Sequence, residues 1–272
     1  NKGMYAFNRC IEEMYKNKPY AIYKFGELEE LEKITNEELY KYYKELVQEC
    51  KFDIYISGEK TEEIKTEIES NENIAKLKPR DAKYITNSLE EPTEIKEKTV
   101  QESADITQGK LVIGMNIEQK MENSKNIALI YNAILGGTAT SKLFQNVREK
   151  ASLAYTAGSN YIRQKGNVFI RCGIEIENYE KALDIIKKQI EDMKQGNFTE
   201  EELENTKQYI ISTIQEIKDE QDTQIAYYFS HELAKTDSSI EKYINNVRKV
   251  TKEQIVEIAK TVKINTIYFL KN

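Results

Sequence analysis

Arg148 and Tyr155 are the two side chains of this sequence whose types and spacing could bind a substrate, and both lie within Ser141–Tyr155. Apolar residues early in this stretch have helical spacing, which predicts a short helix that ends near Lys150. The residues 154–157 that follow are typical of the start of a strand. A guanidinium and a phenol are therefore separated by one helix-to-strand turn.

Both side chains could donate hydrogen bonds to a peptide lying along this turn, because peptide carbonyl oxygens accept such bonds. A purely structural interpretation is also open. Cations in the last turn of a helix interact favourably with the helix dipole, and Arg148 could serve only there. Tyr155 could equally be an ordinary tyrosine of a strand. The two residues by themselves leave both interpretations standing.

The same stretch carries a family resemblance. The segment SKLFQNVREKASLAY, preceded by Ile134-Leu135-Gly136-Gly137, resembles the second homologous half of pitrilysin-type zinc metallopeptidases, which include insulysin and the mitochondrial processing peptidase. In that family the half with this motif binds no metal and lends an Arg and a Tyr to substrate binding. The resemblance implies this role for Arg148 and Tyr155, beside an active site that the other half builds.

Within the family, residues 1–58 and 134–176 most resemble a bacterial branch of cytoplasmic pitrilysin-like proteins. Members of this branch are encoded in pairs, and one member of each pair lacks the metal motif. The resemblance therefore implies a homologous half or subunit as the partner, in a heterodimer, and a peptide or protein as the substrate.

The zinc motif of this family is absent from the sequence given. The motif H-x-x-E-H sets two histidines on one helix face, whereas this chain has a single histidine, His231. We expect that side chain to pack on its own helix near Tyr227 and Tyr228. No C-x-x-C occurs either. The sequence thus predicts no catalytic residue, metal ligand or cofactor in this chain, and zinc only in an absent half or a partner subunit.

Composition favours a soluble, helix-rich protein without a nucleic-acid or membrane partner. The 272 residues are 39% hydrophobic and 32% charged, with a net charge of −6. Lysines alternate with glutamates, as on solvated helix faces, and form no basic patch. No apolar run approaches the length of a membrane span. The three scattered cysteines predict reduced thiols and a cytoplasmic location.

An internal repeat is predicted from two similar segments. A capping box begins at Thr35 and another at Thr251, 216 positions later. A helix and then a short strand follow in both copies, with the strands at 52–58 and 266–270. Chance similarity is the alternative, since such endings are common. The apolar helix faces consist of Leu39, Tyr42, Tyr43 and Leu46 in the first copy and of Ile255, Ile258, Ala259 and Val262 in the second.

The repeat predicts three parts of the chain. Residues 1–58 would be the C-terminal part of a first homologous half whose remainder is absent, and residues 93–272 a complete second half-domain. Between them, residues 59–92 are charged and contain two prolines, which is typical of a linker. The sequence would then be a fragment of a longer protein.

The predicted fold class is α+β, with an antiparallel sheet and helices packed on one face. This is also the half-domain fold that the resemblance implies. A helix at 126–135 should end in a left-handed turn at Gly136-Gly137. The strands of the second half-domain are predicted at 93–104, 109–117, 155–162 and 168–176, followed by 266–270.

Three functions remain compatible with the sequence. The chain could be a non-catalytic subunit that closes on a zinc-bearing homologue and offers Arg148 and Tyr155 to a peptide. It could be the C-terminal part of an active zinc endopeptidase whose H-x-x-E-H lies upstream. It could also be a module that binds peptides without hydrolysis. In each case an exposed strand edge of the second half is the expected peptide seat.

Overall fold

The computed structural model describes residues 1–49, 52–76 and 95–272, which divide into two units. Pro79 and Pro92 of the predicted linker lie outside the described residues, and the predicted boundaries at 58 and 93 stay a prediction. The first unit contains the described residues of Asn1–Tyr23, Leu89–Ser212 and Ile240–Asn272, and the second those of Lys24–Ser88 and Thr213–Ser239.

A five-stranded sheet is the centre of the first unit. Its strands are β1 (Lys98–Ser103), β2 (Gly109–Asn116), β3 (Ala154–Ile162), β4 (Asn167–Ile174) and β5 (Lys263–Lys271). Among the described residues their order is β1-β5-β2-β4-β3, which makes β1 and β3 the edge strands. Neighbouring strands are antiparallel except for β1 and β5, which are parallel. The predicted α+β class is confirmed, and the sheet departs from a purely antiparallel one at that single pair.

Helices account for most of the remaining described chain. The longer ones are α1 (Lys2–Met14), α3 (Asn36–Glu49), α4 (Thr61–Glu69), α6 (Ser124–Asn132), α7 (Tyr179–Lys194), α8 (Glu200–Glu216), α9 (Gln221–Leu233), α10 (Ile240–Arg248) and α11 (Lys252–Thr261), and the single-turn ones are α2 (Leu28–Leu31) and α5 (Glu72–Ala75). Within the described residues, no helix is both long enough and apolar enough to cross a membrane.

One face of the sheet is covered by α6, α7 and α11, and α11 contacts both α6 and α7. On this face Tyr179 of α7 stacks on Phe269 of β5, with ring centroids 4.5 Å apart. The apolar face predicted for α11 is buried here. The capping box at its start is also confirmed, because the Thr251 side chain accepts from the backbone of Gln254 and the Gln254 side chain accepts from that of Thr251.

The opposite face of the sheet is covered by α1, which comes from the start of the chain. Cys10 and Met14 are fully buried there in a cluster with Val112 and Phe169. Helix and sheet approach so closely that a Cβ atom on Gly114 would collide with the Met14 Sδ atom. Helices therefore pack on both faces of the sheet, whereas the sequence predicted helices on one face. The spacing of apolar residues in α1 shows that one side of the helix is buried, but it does not specify which strands cover that side.

A cluster of hydrogen bonds to the Glu102 carboxylate joins α1 to the sheet. Glu102 of β1 accepts hydrogen bonds from the hydroxyls of Tyr5 and Tyr268, each at 2.5 Å, and from Arg9 Nε at 3.3 Å. Burial raises the pKa of Glu102, but the bonds from Tyr268 and Tyr5 and the charge of Arg9 outweigh burial and hold that pKa below its usual value. The charged form of Glu102 is thus the one that the folded state favours.

Removing this charge should make the free energy of unfolding less dependent on pH. We expect Glu102→Gln to cost about 1.5–3 kcal/mol at pH 7, the usual range for hydrogen bonds to a charged group. Because the pKa of Glu102 is lower in the folded than in the unfolded chain, this contribution is complete above the unfolded value of 4.5 and is lost as pH falls through the folded value. Urea unfolding of both proteins between pH 7 and pH 3 measures the difference.

The control for this variant is Glu97→Gln. Glu97 forms an ion pair with Lys187 at 2.7 Å in which both side chains are more than one third exposed. Exposed pairs contribute about 0–1 kcal/mol, so this variant should change stability little. A gap between the wild type and Glu102→Gln that stays constant down to pH 3 would contradict the prediction.

Two local predictions were wrong. Gly136 and Gly137 do not form a left-handed turn; they end a π-helical segment, Ala133–Gly137, that continues α6. Residues 52–57 are described but form no strand. A strand exists only when another strand pairs with it, and among the described residues none lies beside this segment.

The first copy of the predicted repeat has the predicted capping box, but the apolar face of its helix is not buried. The backbone of Glu38 donates to Thr35 Oγ1 at 3.2 Å, and the backbone of Thr35 donates to the Glu38 carboxylate at 3.0 Å, which confirms the capping box. The apolar face of α3 is exposed, however, with Leu39 59%, Tyr42 62% and Tyr43 58% accessible. The equivalent face of α11 is buried because α6 and α7 cover it.

Candidate functional site at the β3 edge

Arg148 lies on the surface in the helical turn that precedes β3. The predicted short helix is present, but Phe144–Lys150 has π-helical rather than α-helical geometry. The Arg148 side chain is 44% exposed, its Nε atom is 3.6 Å from the Glu149 carboxylate, and its guanidinium lies 4.6 Å from the centre of the Phe144 ring. The guanidinium is thus held on one side by a ring and keeps donors available to a ligand.

Tyr155 is the second residue of β3 and the most exposed of the candidate side chains, at 63%. The register of β3 on β4 shifts between Ala154 and Thr156, so Tyr155 occupies a β-bulge. Bulges re-aim a side chain at the edge of a sheet. The Tyr155 hydroxyl donates to Glu175 Oε1 at 2.9 Å, and this hydrogen bond raises the pKa of the phenol.

Strand β3, which carries Tyr155, is an edge strand. In the part of the chain that the structure describes, β3 pairs with β4 alone. Gly136 lets the π-helical segment pack closely on β3, since a Cβ atom there would lie 2.7 Å from the backbone nitrogen of Ser159 and 2.7 Å from Leu143 Cδ1. This contact fixes the position of the turn that carries Arg148 relative to the strand that carries Tyr155.

A cavity of about 600 Å³ lies on the α1 side of β3. Its described lining includes three cations, Lys110, Arg148 and Arg171, and no carboxylate. Tyr155 is not among the lining residues, so the structure brings only Arg148 of the predicted pair to this cavity. The sequence analysis did not single out Lys110 or Arg171. Their signal was a charge within an otherwise apolar strand, in GKLVIGMN and in NVFIRCGI.

Thiol and imidazole catalysis find no support in the described residues. The reactive form of cysteine is the thiolate. Burial raises the pKa of Cys172 to about 12 and that of Cys10 further, while Cys50 lies outside the described residues. His231 packs on Tyr227 with ring centroids 4.5 Å apart and shares a hydrogen bond with Thr236, which confirms its predicted packing.

The described residues do not fit a zinc ion. No group of three or more His, Cys, Asp or Glu side chains that could hold a metal occurs among them. A zinc site of the hydrolytic kind needs three protein ligands and an open position for water. No step of a metal-dependent reaction can be assigned to these residues.

Comparison with known proteins assigns the chain to a family. Residues 33–210, more than half of the chain, match the family described as the peptidase M16 inactive domain. The chain belongs to the M16 peptidase family. The predicted pitrilysin-type resemblance is thereby confirmed, and the chain carries the inactive domain of that family.

Relatives of this M16 chain extend beyond it. It is 34% identical over 273 residues to the probable inactive metalloprotease YmfF of Bacillus subtilis, with 100% of this chain and 63% of that protein covered. The crystal structure of a conserved protein from Enterococcus faecalis superimposes with a TM-score of 0.80 and 26% identity, over 100% of this chain and 64% of that one. The chain therefore spans less than two thirds of these relatives.

A third comparison concerns the fold alone. The crystal structure of a peptidase M16 inactive domain from Pseudomonas fluorescens superimposes with a TM-score of 0.73 and 18% identity, covering 99% of this chain and 65% of that one. The roles of Arg148 and Tyr155 are not tested by these likenesses and stay predictions.

Proposed function

We propose that this chain is the non-catalytic, substrate-binding part of an M16 peptidase-like protein, and that it pairs with a zinc-bearing homologue in the cytoplasm. Its peptide seat is the unpaired edge of β3, flanked by Arg148 and Tyr155. The observation that carries the proposal is this edge strand, with Arg148 in the turn that precedes it and Tyr155 in its β-bulge.

Extended peptides bind such edges by adding a strand. The main chain of an edge strand offers unpaired N–H and C=O groups, and a peptide that pairs with them gains affinity without a requirement for sequence. Arg148 then donates to a carbonyl oxygen of the same peptide, and the Tyr155 hydroxyl, whose own proton is donated to Glu175, accepts from a peptide N–H. The zinc that would cleave the peptide belongs, in this proposal, to the homologous partner.

The pairing is tested with the zinc-bearing M16 homologue of the same genome. We expect light scattering to detect a 1:1 complex and a set of fluorogenic peptides to be cleaved by the mixture, in a reaction that a zinc chelator abolishes. Zinc-dependent cleavage by the protein without the homologue would support an active endopeptidase instead. Peptide binding by the mixture without cleavage would support a binding module.

The site residues are tested by substitution in that complex. Arg148→Ala and Tyr155→Phe should each lower kcat/KM about tenfold, the effect of one lost hydrogen bond of about 1.4 kcal/mol. The melting temperature should stay within about 1 °C, because both side chains are exposed surface groups. Peptidase assays and thermal unfolding measure the two effects.

Lys150→Ala is the matched control for these variants. Lys150 is an exposed cation two residues from Arg148 and contacts the Asn146 side chain at 3.3 Å. Its removal should leave kcat/KM unchanged. Stability and activity lost together in Arg148→Ala and Tyr155→Phe would instead favour the structural interpretation of both residues.

A further inference from the structure

Lys110 and Arg171 are two cations on neighbouring strands, β2 and β4, on the α1 side of the sheet. Arg171 of β4 lies opposite Val112 of β2 in the register, and Lys110 lies two residues from Val112 on the same face. Diagonal neighbours of this kind come within reach of each other's long side chains. Two like charges at such neighbouring positions repel each other, and an anion bound between them would relieve this repulsion.

Neutral groups hold both cations in place. Lys110 Nζ donates to the side chain of Gln108, and Arg171 Nη2 donates to Asn160 Oδ1 at 2.5 Å. The Arg171 guanidinium also lies 5.3 Å from the centre of the Phe7 ring. Among the described residues, neither cation forms an ion pair with a carboxylate. The charges are thus positioned but not neutralised.

The floor between the cations is backbone. Gly173 of β4 lies opposite Lys110, and Gly158 of β3 lies opposite Arg171. A Cβ atom on Gly173 would approach the Gln108 side chain to 2.8 Å, so a larger residue would fill this space. The hydroxyl of Thr156 accepts from the backbone of Gly173 at 3.2 Å and keeps its own proton for a ligand.

This site borders the proposed peptide seat. Thr156 and Gly158 belong to β3, so a strand added to its free edge would continue the sheet next to them. Side chains of an added strand alternate between the two faces, and every second one would point to the α1 side, where the cavity lies. Arg148 lines the same cavity.

We propose that Lys110 and Arg171 bind the carboxylate of an acidic side chain in the bound peptide, and so make the β3 edge selective for peptides with Glu or Asp at an α1-facing position. This inference rests on the proposed function, and it adds the class of peptide. Guanidinium groups pair with carboxylates through two parallel hydrogen bonds, and Lys110 supplies a second charge.

The test uses two label-free, Ser/Thr-rich decapeptides and titration calorimetry on the intact protein. One peptide carries glutamates at alternate central positions, and the other carries glutamines there. We expect the glutamate peptide to bind about tenfold more tightly. Arg171→Gln and Lys110→Gln should each remove this preference, and raising the salt from 50 to 500 mM should reduce it.

Two further variants control for folding and for general charge. Arg171→Lys keeps a charge at the site and should retain part of the preference. Lys120→Gln removes a cation that is 84% exposed and lies outside the cavity lining, so the full preference should remain. Thermal unfolding of each variant shows that it is folded.

The outcomes separate this inference from the function on which it rests. Equal affinity for the two peptides, or a preference that survives both Arg171→Gln and Lys110→Gln, would overturn the carboxylate site and leave the peptide seat intact. Failure of both peptides to bind would overturn the seat, and the carboxylate site with it.

Discussion

Met14→Ala is expected to lower the free energy of unfolding by about 2–5 kcal/mol, the usual cost of truncating a large buried apolar side chain. Met14 is 1% exposed and packs between α1 and the sheet. The result would show that the first helix of the chain is part of the sheet-containing unit and not a detachable segment. Urea unfolding followed by circular dichroism measures the loss.

Gly114→Ala makes this experiment specific to the contact. A Cβ atom on Gly114 collides with Met14 Sδ, so the single variant should cost about 1–3 kcal/mol through overpacking. In the Met14→Ala background the collision is relieved, and the same substitution should cost less by 0.5 kcal/mol or more. Simple additivity of the two losses would show that α1 does not contact β2 in solution.

Gly136→Ala is the second variant with a large expected effect, a loss of about 1–3 kcal/mol, which corresponds to about 2–12 °C in melting temperature. The added Cβ atom would meet the backbone of Ser159, which cannot rotate away as the end of a flexible side chain can. The segment Ala133–Gly137 would have to move away from β3. The following turn, which carries Arg148, would move with it, so peptide affinity should also fall. The glutamine decapeptide is the one to use, because its binding does not depend on the proposed carboxylate site.

Gly137→Ala is the matched control, one residue further along. The nearest atoms to a Cβ there are Asn132 Nδ2 at 3.1 Å and the Asn132 carbonyl oxygen at 3.3 Å, and Gly137 is exposed. We expect a loss of less than about 1 kcal/mol and unchanged peptide affinity. Equal losses at the two glycines would contradict a specific role for close packing at Gly136, because helix propensity alone favours alanine over glycine at both positions.

Local structure was predictable wherever its cause is local. The capping boxes at Thr35 and Thr251 bond neighbours three residues away, so their residue types suffice to identify them. Strand β4 has apolar residues at every second position from Val168 to Ile174, and Gly196, which follows α7, has a φ of +73° that suits glycine. The family assignment also followed from one continuous segment, residues 134–155.

Local patterns failed where a distant segment decides the outcome. Glycines at the end of a helix usually mark a left-handed turn, but Gly136 is required because β3 passes within contact distance. The strand predicted at 52–58 did not form because a strand needs a partner, and pairing cannot be deduced from one segment.

The α+β class, the M16 family, the approximate positions of the five strands and of several helices, and the candidacy of Arg148 and Tyr155 could all be predicted from sequence. The tertiary structure was needed to show that α1 packs on the second face of the sheet, that β3 is an edge strand among the described residues, and that Lys110 and Arg171 line the same cavity. The physical reason is the same in each case. Strand order and helix docking bring together residues that are tens to hundreds of positions apart, and no periodicity within one segment records which distant segment will cover it.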